Sequence, residues 1–325
     1  MQRIVSLLLV AGSISTAVAQ GARPQKVFTE DIDRFWVAYD SVQTTTDHAR
    51  QLAFVTDLYI RPGTVGLADF IKVRNNSAER WVTLITKYPR FWASIRPNTL
   101  AVKNSAKDFE QSIRRFKRLY PELRDASIYF TVGGLNSGGT VNGNKVLIGT
   151  EIATGNAQTD VSEFTNPWLG SVFKAQALNN IVSLNVHEYV HTQQQPTEDM
   201  NLLGQALKEG ACDFITELVI RRPLQTNYLI YGNAHEKELK EAFKQEMLTA
   251  NYSRWLYNGS NAGPTSDLGY FMGYTICRAY YAQARNKRQA IKEIIELTYA
   301  DPAATEGFLR QSGYYPEGWE KAAPR

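Results

Sequence analysis

Residues 187–191 read His187-Glu188-Tyr189-Val190-His191, and they close the run Asn180-Ile181-Val182-Ser183-Leu184-Asn185-Val186, which holds no Gly or Pro. The run predicts one uninterrupted helix through both histidines. At about 100° per residue, side chains four apart lie about 40° from one another, so the two imidazoles share a face and Glu188 projects beside them. Two imidazoles so placed grip one metal ion. Neutral imidazole and carboxylate suit Zn²⁺, and a catalytic zinc site takes three protein ligands and keeps one position open. Glu188 then serves as a base beside that position, not as a ligand.

The third ligand is sought downstream, in Leu207-Lys208-Glu209-Gly210-Ala211-Cys212-Asp213-Phe214. Glu209, Asp213 and Glu217 recur every four residues and share one helical face, while Leu203, Leu207, Phe214, Ile215 and Leu218 supply the apolar side. This spacing assigns Glu209 to the metal. Asp213, one turn on, is placed to accept the spare N–H of His187 and fix its tautomer. Glu217 is a substitute ligand two turns away, about 12 Å along the axis.

The Glu-x-x-x-Asp pair after the two histidines resembles the gluzincin metallopeptidases, with Glu209 matching their third ligand and Asp213 their orienting acid. More closely, His187 to Gln194, Lys208 to Phe214 and Asp267-Leu268-Gly269-Tyr270-Phe271-Met272-Gly273-Tyr274 resemble the predicted zinc-dependent proteases grouped as domain of unknown function 2268, relatives of gliding-motility lipoproteins. The resemblance follows the order of features from about residue 28 to about residue 315. It implies hydrolysis of a peptide or protein substrate, with Zn²⁺ on His187, His191 and Glu209. Glu188 would take a proton from the attacking water and return it to the leaving amine. The oxyanion needs one further donor, and Tyr270, Tyr274 and His235 are the candidates. Tyrosines at helical spacing also serve as packing, and Glu236-Lys237-Glu238 beside His235 also reads as solvated surface. A second reading is a non-enzymatic cell-envelope or assembly protein that keeps a structural zinc. A purely structural site has no use for Glu188.

At the start, Met1-Gln2-Arg3, the apolar Ile4 to Val10 and the small-x-small end Ala17-Val18-Ala19 predict a secretory signal peptide over 1–19, cut after Ala19, hence a periplasmic or secreted protein. No Cys stands at that cut to carry a lipid anchor. The 325 residues are 43% hydrophobic and 21% charged, ordinary globular composition, and no second apolar stretch is long enough for a transmembrane segment. A net charge of +4 is too small to argue for nucleic acid. Cys212 and Cys277 stay open as a disulfide pair or two buried thiols.

Two regions follow the signal. Residues 20–126 read as helical, around Asp47 to Tyr59, Gly66 to Arg74, Ser77 to Lys87 and Ser105 to Leu119, with a Thr29 cap opening the first. Pro62-Gly63, Tyr88-Pro89 and Arg96-Pro97-Asn98 read as punctuation, and Trp36, Trp81 and Trp92 as core. Residues 127–325 hold the catalytic region. Ser127 to Val132 and Lys145 to Thr150 read as paired strands joined by a flexible glycine-rich connection, with an edge strand flanking the cleft. Residues 151–176 read as a long connection, and further helices are expected over 234–248, 269–284, 287–299 and 305–311. The fold class is α+β, mainly helical, with a zincin-like core whose small sheet lies beside the metal helix.

Overall fold

The computed structural model describes residues 26–176, 180–259 and 265–315. The signal segment expected at 1–19 lies outside them. The described residues are mainly helical with one four-stranded sheet, and no described helix is long and apolar enough to cross a membrane.

After the short strand β1 (Val27–Phe28), α1 spans Glu30–Val42, α2 His48–Val55, α3 Val65–Arg74 and α4 Ala78–Lys87. Three of these starts are capped as their sequences dictate. Asp47, Thr64 and Ser77 accept from the backbone N–H groups of Arg50, Leu67 and Arg80. Thr29 stands at the start of α1, but its hydroxyl makes no cap bond. α2 runs on as a π-helical turn over Thr56–Ile60.

The proline punctuation holds at Pro62-Gly63, in the turn before α3, and at Tyr88-Pro89, between α4 and the next helix, and is corrected at Arg96-Pro97-Asn98. Pro89 opens α5 (Pro89–Ala101) and Pro97 sits inside it. The first turn tolerates proline because its N–H has no helical partner there. Pro97 removes one rung of the ladder. Burial of Phe91, Trp92 and Ile95, and the bond from Trp36 Nε1 to Thr99 Oγ1 at 3.0 Å, hold the helix through it. α6 follows over Ala106–Leu119.

The sheet is built from β1, β2 (Ser127–Thr131), β3 (Gly139–Asn142) and β4 (Lys145–Gly149), in the order β1-β2-β4-β3. The two strands expected to pair do pair, but they run parallel, Ile128 opposite Val146. The glycine-rich connection is itself corrected to contain β3, antiparallel to β4. Gly143, at φ +57, opens the two-residue loop that turns β3 into β4. β3 therefore forms an edge of the sheet.

α7 (Thr150–Ala153), which begins on the last residue of the expected strand, and α8 (Trp168–Ala175) interrupt the expected long connection. Then come α9 (Asn180–His191), α10 (Leu202–Ile220), α11 (Asn227–Ala234), α12 (Glu236–Glu246), α13 (Leu268–Gln283), α14 (Lys287–Ile295) and α15 (Pro302–Ser312). α10 starts on an Asn201 cap and stops at Arg221, which takes a left-handed conformation. One apolar cluster runs from Ile32 to Tyr315, across the expected boundary at residue 126. Trp36, Trp81 and Trp92 are buried in it.

Candidate metal centre

α9 and α10 pack side by side. His187 Nε2 lies 3.5 Å and His191 Nε2 3.1 Å from the same Glu209 oxygen, Oε2. Four donors placed tetrahedrally at about 2.0–2.1 Å from a zinc ion stand roughly 3.3 Å apart, so these separations fit three ligands of such a site. The carboxylates around the two rings favour positive charge there, whether a proton or a metal ion carries it. Burial alone would raise the Glu209 carboxyl, but the His191 and His187 rings hold it well below the usual carboxylate range. Burial opposes a proton on His187, yet Asp213 and Glu209 raise its pKa well above the ordinary value.

Each of the three side chains is held from behind. His187 Nδ1 lies 2.8 Å from Asp213 Oδ1, and Asp213 Oδ2 accepts from the Tyr228 hydroxyl at 2.8 Å. His191 Nδ1 lies 2.8 Å from Gln194 Oε1, whose amide nitrogen donates to the Lys208 carbonyl. Glu209 Oε1 accepts from the Tyr257 hydroxyl at 2.7 Å and from Gln205 at 3.3 Å. These contacts leave the two Nε2 atoms and Oε2 facing one another.

Cys212 also comes close: its sulfur and nitrogens of both rings lie within 4.8 Å of one another. It faces the wrong nitrogen, however, with Sγ 3.3 Å from His191 Nδ1, the atom that meets Gln194. Burial pushes its thiol pKa well up, so the thiolate a metal needs is disfavoured. Glu209, which meets both Nε2 atoms, is the better third ligand. Cys212 and Cys277 are both free and buried, so the disulfide left open by the sequence is not formed.

Glu188 is 8% exposed, and no described residue hydrogen-bonds its carboxylate. Burial raises its pKa, against the pull of His191 and His187. The edge strand β3 passes so close that a Cβ on Gly139 would lie 2.5 Å from Glu188 Oε1. Glycine is what lets strand and carboxylate share this space. Two cavities flank the centre. One of about 260 Å³ borders His187 and Glu188, and one of about 460 Å³ runs past His191 and the end of β3.

Of the candidate oxyanion donors, Tyr270 faces the first cavity, its ring 6.1 Å from that of His187, and its hydroxyl has no hydrogen-bond partner among the described residues. Tyr274 points elsewhere: its hydroxyl donates to Glu217 at 2.9 Å and its ring meets Phe214 and Arg278. The same bond engages Glu217 away from the histidines. His235 stacks on Tyr231, with Nδ1 2.9 Å from that residue's carbonyl. Helical spacing brought Tyr270 and Tyr274 into view together, but one turn rotates them to different neighbours.

Gln194, Gln205, Tyr228 and Tyr257 were not singled out in the sequence. Gln205 stands four residues before Glu209 and Gln194 three after His191, spacings that bring side chains together along one stretch of chain. Tyr228 and Tyr257 arrive from other elements and leave no local signal.

A buried His-His-Glu cluster with an acid behind one imidazole and a free carboxylate at its side defines a candidate zinc-hydrolase centre. Residues 168–301 match a family model described as predicted Zn-dependent protease (DUF2268). That stretch includes α9, α10 and α13, so the similarity supports the family on the part of the chain that carries the cluster. No curated protein and no solved structure matches the chain.

Proposed function

We propose that this chain is a zinc-dependent metallopeptidase of gluzincin type, exported after removal of its first 19 residues. The observation that carries the reading is the meeting of His187 Nε2, His191 Nε2 and Glu209 Oε2, 3.1–3.5 Å from nitrogen to oxygen, beside an unpartnered Glu188. A zinc ion bound there supplies Lewis acidity, polarising a carbonyl and making a water acidic near neutrality.

The chain's own residues do the rest. Asp213 and Gln194 fix the two rings so that both Nε2 lone pairs point inward. Glu188, with its pKa raised, takes a proton from the attacking water and returns it to the leaving amine. The Tyr270 hydroxyl, which has no other partner among the described residues, is the donor for the developing oxyanion. β3, the edge strand beside Glu188, is where an extended peptide would add, next to a Gly139 carbonyl that accepts from Ser137 Oγ at 2.6 Å and Arg74 Nη2 at 3.3 Å.

The purified protein is expected to carry about one zinc per chain. Glu188→Gln should keep that zinc and lose peptide hydrolysis by at least about 100-fold. Undiminished turnover in that variant would defeat the reading. An amino terminus at Gln20 in the exported protein would support the export step.

A further inference from the structure

The cavity of about 260 Å³ beside His187 and Glu188 has a one-sided chemistry. Glu188, Asp213 and Asp267 border it, and among the described residues no Lys or Arg does. Leu184, Leu224, Tyr228 and Tyr270 give it apolar wall. Asp213 is occupied by His187 and Tyr228, and Glu188 by the reaction proposed above. Asp267 has neutral partners only: its Oδ1 accepts from the Tyr257 N–H at 2.7 Å, the Ser266 side chain and the Asn258 backbone also bond its carboxylate, and among the described residues no cation pairs with it. Burial raises its pKa, the mark of a carboxylate short of solvent and countercharge.

A second observation is independent of the acids. Thr216, on α10 and 0% exposed, borders the same cavity, and its hydroxyl has no hydrogen-bond partner among the described residues. Buried hydroxyls are nearly always satisfied, so an orphan on a cavity wall points to a polar group supplied from outside.

We propose that this cavity is a specificity pocket for a lysine or arginine side chain of the substrate, with Asp267 as countercharge and the Thr216 hydroxyl as acceptor. The proposal rests on the peptidase reading and names the substrate class for it. The volume suffices, since an engineered cavity of ~150 Å³ already takes benzene. The wall also suits the guest: long basic side chains lay an apolar stem along apolar surface and carry the charge at the tip. An aliphatic side chain would leave Asp267 without a countercharge and the Thr216 hydroxyl without a partner, and an acidic one would face like charge.

The test compares peptides that differ only by lysine, arginine, norleucine or glutamate at one position, scanned across the cleavage site. Norleucine keeps the lysine stem without its charge. The zinc-loaded protein should cleave the basic peptides on the order of ten- to a hundred-fold more efficiently than the norleucine peptide at one subsite. Asp267→Asn should remove most of that preference, and asparagine also tolerates the left-handed conformation of residue 267, at φ +63. Calorimetry on the zinc-loaded Glu188→Gln protein reads binding without turnover. It should show tighter binding of the lysine peptide than of the norleucine peptide, weakening with salt.

Cleavage with equal efficiency on lysine and norleucine peptides at every subsite overturns the pocket and leaves the peptidase reading intact. This comparison needs no variant and stands even if Asp267→Asn fails to fold. Charge-selective binding to the Glu188→Gln protein, with no cleavage of any peptide by the unaltered protein, supports the pocket and removes the peptidase.

Discussion

Gly210 of α10 and Gly273 of α13 meet backbone against backbone: a Cβ on Gly210 would lie 2.0 Å from the Tyr274 nitrogen and 2.2 Å from the Gly273 carbonyl carbon. One on Gly273 would lie 1.8 Å from the Ala206 carbonyl oxygen. The crossing sits one residue from Glu209 and three from Asp213, so it sets the depth at which α10 presents both carboxylates to α9. In an open helix Gly→Ala stabilises by about 1 kcal/mol. Here the sign reverses. Gly210→Ala should destabilise by at least about 1–3 kcal/mol through overpacking and weaken zinc binding along with the fold. Thermal unfolding with and without added zinc checks this, and a melting temperature equal to or above that of the unaltered protein would refute it.

Asp213 reaches His187 Nδ1 with one oxygen and the Tyr228 hydroxyl with the other. Its loss would free the imidazole to choose the wrong tautomer and strand a buried phenol. Asp213→Ala should lower zinc affinity about 10–100-fold, read by competition with a chelator of known affinity. Glu209→Ala, which removes a proposed ligand outright, should lower it further. Reversal of that order would mean that Asp213 is the ligand and Glu209 its support.

Tyr257 is 58% exposed, yet its hydroxyl reaches the Glu209 oxygen that faces away from the histidines. Removing that hydroxyl should touch the site and spare the fold. Tyr257→Phe is expected to stay within about 0.5 kcal/mol of the parent in unfolding free energy while binding zinc up to about ten-fold more weakly. Equal zinc affinity would assign the contact to packing alone.

What the sequence revealed divides along the same line as these contacts. His187, His191, Glu209 and Asp213 were legible because four-residue spacing on a helix is a local property, and α9 and α10 are long and unbroken. α5 was hidden by its two prolines. Its first turn is tied by the Phe91 N–H bond to Glu163, 72 residues away, which no local pattern records. The strand directions were equally hidden, since β-branched runs announce strands and say nothing of parallel or antiparallel pairing. Tyr228 and Tyr257 reach the centre from separate elements, and only the assembled core brings them there. Tyr274 shows the converse error, a residue of suitable chemistry on a suitable helix whose hydroxyl the packing gives to Glu217.

Glu151 provides a pH test away from the metal centre. It is fully buried on α7, where its two oxygens accept from the backbone N–H groups of Gly133 and Leu135 at 2.9 and 2.7 Å. It thus pins the loop between β2 and β3, next to the strand that passes Glu188. Desolvation pushes its pKa up to about 7, against the lowering pull of those N–H groups. The pKa is raised in the folded state, so the folded protein keeps the proton where the unfolded chain has lost it. The associated stability is complete below about pH 4.5 and declines as pH climbs to about 7, where it levels off. At about 1.4 kcal/mol per unit the loss over that window is about 3 kcal/mol. Glu151→Gln cannot ionise, so the unfolding free energy of the unaltered protein minus that of the variant should fall by about this amount from pH 4.5 to 7. Denaturant titrations of both proteins across the window measure the difference. A difference that stays flat would mean that the two backbone N–H groups keep Glu151 ionised throughout.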